Sequence, residues 1–86
     1  MTALRATQHQ QRAEAYAATL KAGVHEPWLI YEWCKAKHHS GWHYLGTDTF
    51  LDQALREFRG SVPVEIIHEG YREFVDWRER KQREAE

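Results

Sequence analysis

The sequence predicts a compact all-α single domain of about four helices, and three observations carry that expectation. Gly23, Gly41, Gly46 and Gly60 separate four stretches, with Pro27 and Pro63 standing where helices would begin. Within each stretch apolar residues recur three and four apart, the spacing of one helix face. The single β-branched run, Val62 to Ile67, has no second run to pair with, and an isolated strand is not stable.

The first helix is expected from about Thr7 to Ala22, rich in Ala, Gln, Arg and Glu. Thr7 and Gln10 fit a capping box, and Ala13, Tyr16, Ala17, Leu20 and Val24 form the stripe. Residues 1–6 and 84–86 are expected to fray. The second helix runs from Pro27, suited to a first turn, to about His38. Leu29, Ile30, Trp33 and Cys34 share one face, Trp28 and Tyr31 lie off it, and Glu32, Lys35 and His39 are left for solvent. The third helix runs from Thr47 or Thr49 to Arg59 with Phe50, Leu51, Ala54, Leu55 and Phe58 as its stripe. Thr49 with Asp52 is a start signal and Gly60 a stop. The fourth spans Pro63 to about Arg83, with Val64, Ile67, Tyr71, Phe74, Val75 and Arg78 in step. Its alternative is a short strand over Val62 to Ile67 followed by a helix from Gly70.

Eighty-six residues allow one domain, and 29% charged against 42% hydrophobic is a globular balance. A chain this short buries about 60% of its unfolded surface, so its eleven aromatic residues must carry much of the core. One cysteine excludes an intrachain disulfide and any zinc site needing two thiolates. No apolar run approaches the roughly 20 residues of a membrane span, and no signal segment opens the chain. A reducing, cytoplasmic setting is therefore expected. A net charge of −1 announces neither nucleic acid nor a membrane surface.

Trp28, Tyr31, Trp33, Trp42 and Tyr44 crowd into seventeen positions. Trp33 belongs to the core face. Trp42 and Tyr44 sit in a glycine-framed connection, Ser40 to Gly46, and large rings on a short loop serve as binding anchors or fold back as a lid. Tyr44 leans towards contact.

Cys34 and His38, four apart on a helix, share a face, and His43 or Asp48 would complete an open zinc site. The competing reading is a buried small hydrophobe beside histidines that favour a helix C-terminus, and it prevails because no paired-Cys or HExxH signature is present. No metal and no cofactor are therefore expected. Neither serine stands in a nucleophile context and no glycine run forms a phosphate loop, so the chain is expected not to be an enzyme.

Glu65, Glu69, Glu73 and Asp76 step along the fourth helix at about 6 Å per i to i+4 interval, comparable with phosphate spacing. Arg72 and Arg80 are placed to neutralise much of that row, and a balanced net charge argues against phosphate mimicry. From Arg78 to Arg83 four cations face one anion, suited to the helix dipole or to phosphates.

The reading favoured is a small non-enzymatic regulator or inhibitor that docks on a larger protein, its size and style fitting a phage or other mobile element. Its partner-binding set is Trp28, Tyr31, Trp42, Tyr44, Glu69, Glu73 and Asp76. A nucleic-acid-associated, dimeric regulator using Arg78, Arg80, Lys81 and Arg83, with Lys35 and Lys37, is the alternative. The acidic ridge as a phosphate mimic is the second, and a metal site at Cys34, His38 and His43 the remotest. Self-association through the aromatic patch also fits so small a domain.

Overall fold

The computed structural model describes the backbone of residues 2–85 and the side chains of residues 7–84. Four helices follow one another, α1 (Thr2–Lys21), α2 (Pro27–Ser40), α3 (Thr47–Phe58) and α4 (Val64–Ala85), with one 3-10 turn (Trp42–Tyr44) between α2 and α3. The fold is all-α, as the glycine and proline punctuation predicts. Val62 is buried in the turn before α4, and Pro63 accepts the first bonds of that helix from the Ile66 and Ile67 amides. The strand alternative over Val62 to Ile67 is thereby corrected: proline pre-sets a helical start and no neighbouring chain segment offers a ladder.

Three local readings differ from the structure, the Thr7 cap, the Thr49–Asp52 start signal and the place of Val24, while α3 begins at Thr47, one of its two expected starts. The backbone is helical from Thr2, so Thr7 lies inside α1 and Thr7 with Gln10 is not a capping box. Gln10 instead bonds Glu14 one turn on and accepts from Lys37 of α2. Met1 and Glu86, at the ends expected to fray, lie outside the described residues. Helix α3 starts at Thr47, with Gly46 capping through its carbonyl to the Phe50 amide. Asp52 therefore sits within the helix, paired with Arg56 rather than marking the start. Val24 falls beyond α1, 46% exposed, because Gly23 at φ +112° turns the chain out of the helical rhythm.

Helices α1 and α2 form an antiparallel hairpin, with the His9 ring packed at a tilt on His39 at the end away from the connection. Helix α4 runs beside α2 in the same direction: Gly70 lies against Pro27 and Ile30, while Phe74 and Trp77 lie against His38. Helix α3 closes the remaining side, its Phe50 against Phe74 and its Phe58 against Trp33, both with ring centres under 5 Å apart. Trp33, Phe50, Phe58 and Phe74, all fully buried, are the centre of the core, with Leu20, Ile30, Ile67 and Cys34 around them. Aromatic rings thus supply the four largest fully buried side chains in a chain too short to rely on aliphatic packing alone.

Candidate functional site

The turn between α2 and α3 is built from two inward anchors, two straps from α4 and one outward ring. Helix α2 ends at Gly41, whose φ of +139° few side chains tolerate and whose amide returns to the His38 carbonyl. Trp42 then folds back. Its ring meets Trp33 and Phe50 edge-on at 5.9 and 5.3 Å, and the Lys37 ammonium lies 4.8 Å from its centre. Leu45 packs on the same core. From α4, Arg78 reaches under the turn and donates through Nη2 to the carbonyls of His43 (3.0 Å) and Leu45. A charge-assisted donor on two backbone acceptors fixes the path of the chain between them. Tyr71 adds a second strap by donating its hydroxyl to the Thr47 carbonyl at the start of α3.

What this frame presents is Tyr44. It is 74% exposed, more than any other large apolar residue of the described chain, and among the described residues the one aromatic ring it meets is that of His43. Trp42 therefore folds back over the core while Tyr44 stays outward, and the two rings do not share one surface.

The remaining members of the expected partner-binding set lie elsewhere. Trp28 stands in the first turn of α2, 53% exposed, about 20 Å of helix away from the turn. Tyr31 is half-buried, with Lys35 over its ring, and lines a groove along α2 and α4 with Glu73, Asp76, Glu79, Arg80 and Arg83. Glu69 is exposed four residues before Glu73 on the same helix. The seven residues thus do not share one surface: Trp42 and Tyr44 belong to the turn, Tyr31, Glu73 and Asp76 line the groove, and Trp28 and Glu69 lie outside both. The neutralising pairs expected of Arg72 and Arg80 do not form: among the described residues no ion pair engages Glu69, Glu73 or Asp76, and Arg80 bonds only the Asp76 backbone carbonyl.

The cations proposed for phosphate contact are largely occupied within the fold. Arg78 is spent on the turn, Lys37 on Gln10 and two indole rings, Lys35 on Tyr31 and Trp77, and Lys81 on Glu84. Arg80 and Arg83 remain exposed.

Cys34, His38 and His43 do not converge on a metal position: among the described residues no group of three or more His, Cys, Asp or Glu side chains is placed to hold one. Cys34 is fully enclosed, and burial pushes its thiol far above the ordinary range, which keeps it protonated and inert. His38, His39, His43 and His9 instead form a chain of rings, 4.9 to 6.3 Å between successive centres, with Trp77 packed across two of them. Burial, with the neighbouring charges of His39, Arg78 and His43, lowers His38 to about 4. His39 is lowered as well, by burial first and then by His9, Lys35, Arg12 and Lys81. A charged pair answering the helix dipole is therefore replaced by a neutral packed one: desolvation outweighs the dipole here.

Sequence reasoning placed Arg78 in the inward stripe of α4 and also among phosphate-binding cations, and only the first signal pointed to its place. His9 was not singled out, because nothing in α1 shows that its neighbour is His39. No helix among the described residues is long and apolar enough to cross a membrane. Compared with protein-family models, with curated proteins and with solved structures, the chain matches none.

Proposed function

We propose that the protein is a small non-enzymatic binding module that docks on a larger protein through the Tyr44 turn and regulates or inhibits it. The observation that carries this reading is the contrast within three residues: Trp42 is packed into the core while Tyr44 stands 74% exposed on backbone held by Arg78. A tyrosine on a fixed turn loses little conformational entropy on binding and offers both a ring and a hydroxyl. Anchors of this kind supply much of the energy of protein interfaces. The internal use of Arg78, Lys35 and Lys37, with Lys81 paired to Glu84, weighs against a phosphate-binding surface, since only Arg80 and Arg83 of that set are without such a partner among the described residues.

The test is capture of partners on the tagged chain with nuclease present, comparing wild type with Tyr44→Ala. Trp42 is left intact because its loss would disturb the core. One protein retained in near-equal amount by wild type and lost by Tyr44→Ala is expected. Capture that disappears with nuclease and ignores the substitution would turn the reading to nucleic acid.

A further inference from the structure

The outer face of α4 carries a charge order that complements itself. Glu69, Glu73, Asp76, Arg80 and Arg83 follow at intervals of four, three, four and three, the 3.5-residue rhythm of a helix–helix seam, and all five are exposed. They point away from the face that carries Ile67, Gly70 and Phe74 into the core. Four of them, with Tyr31 and Glu79, line the α2/α4 groove. Among the described residues none is engaged by a side-chain ion pair of its own chain, whereas Glu32, Asp52, Glu57 and Glu84 all are. Moreover, every residue from Glu79 to Glu84 is exposed, so the last turns stand clear of the core. Helices draw most of their stability from packing, and this segment buries little against its own fold.

We propose that α4 pairs antiparallel with α4 of a second copy of this chain. A two-fold axis crossing the helix at the level of residue 78 sets Glu73 opposite Arg83 of the other copy and Asp76 opposite its Arg80. Symmetry repeats both contacts, giving four ion pairs. A parallel pairing in register would set like charges together, so the pattern selects the antiparallel one. Exposed ion pairs are individually weak; here they fix register, while the Tyr31 ring and the arginine stems beneath them supply apolar contact. Arg78 leaves the helix about 200° around from Asp76, so pairing does not use the side that holds the Tyr44 turn. The inference is therefore independent of the docking reading above.

The experiment is sedimentation equilibrium of the full chain, from micromolar to near-millimolar, at low and at high salt. A monomer–dimer equilibrium is expected, its dissociation constant rising roughly tenfold or more as salt is raised across the range in which surface charges become screened. Asp76→Arg, which sets two pairs of like charges together, is expected to weaken the dimer by a similar factor. Asp76→Arg with Arg80→Asp exchanges the signs across the axis and is expected to restore it. A chain that stays monomeric at low salt overturns the inference. A dimer indifferent to Asp76→Arg, or one that the double exchange fails to restore, overturns it too. Both positions are exposed, and circular dichroism of each variant checks that the helices are kept.

Discussion

Gly70 of α4 and Ile30 of α2 approach so closely that no other residue fits at position 70. A Cβ built there would lie 2.5 Å from the Ile30 Cβ and nearer still to the Pro27 carbonyl oxygen. Glycine inside a helix costs about 1 kcal/mol relative to alanine in propensity, and here that cost is outweighed by the helix contact it permits. Gly70→Ala is expected to destabilise the fold by about 2 kcal/mol, the usual range for an overpacked core, read as a lower urea midpoint. Ile30→Ala removes the Cγ2 contact at 2.8 Å but leaves the Ile30 Cβ and the Pro27 carbonyl, so the double variant should be only slightly less destabilised than the two single effects sum to.

Trp42 and Tyr44 should separate cleanly in stability. Trp42→Ala removes a ring that contacts Trp33, Phe50 and Lys37 and is expected to cost about 3 kcal/mol. Tyr44→Ala removes an outward ring and is expected to stay within about 0.5 kcal/mol of wild type in urea denaturation.

Arg78→Met keeps the stem and deletes the donors to His43 and Leu45. A loss of about 2 kcal/mol is expected, since hydrogen bonds to charged groups carry about 1.5–3 kcal/mol. Amide hydrogen exchange checks the cause: protection should fall first at residues 42–46, before the helices are affected.

The histidine chain makes stability depend on pH. His38 titrates at about 4 in the folded chain and near 6.5 when unfolded. A depressed pKa means that the folded state favours the neutral ring, so this contribution is complete above about pH 6.5. It is lost progressively as pH falls from there towards 4. His39 acts in the same direction. Because solvent reaches part of both rings, about 1 kcal/mol from His38 is expected rather than the full shift. Urea midpoints at pH 7 and pH 4.5 should differ less in His38→Gln than in wild type.

Cys34 provides a separate check on the core. A fully buried, protonated thiol should react with a disulfide reagent only when the fold opens. Its labelling rate in native buffer should track stability across the variants above, fastest in Trp42→Ala and unchanged in Tyr44→Ala.

How much was legible follows from which interactions are local. Gly23, Gly41 and Gly60 mark chain reversals by a backbone preference that needs no partner, and the sequence places three of the breaks there. The stripes of α2 and α3 read correctly because Leu29, Ile30, Trp33, Phe50, Ala54 and Phe58 all face one core. Val64, though in step with its helix, is 54% exposed, because the first turn of α4 extends past what packs on it. Periodicity names a face but not its length of contact. The turn was harder. Trp42 and Tyr44 are alike in size and two residues apart, and what separates them is Arg78, thirty-four residues beyond Tyr44. The role of Gly70 was equally hidden, since its neighbour belongs to another helix.

The most direct test of the Tyr44 reading places a photo-reactive benzoylphenylalanine at position 44 and irradiates the source cells. The same residue at exposed Glu65 serves as the control. One heavier adduct, containing a single other protein and formed from position 44 but not from 65, is expected. No adduct at 44, an adduct only with a second copy of the chain, or the same spread of adducts from both positions would contradict it.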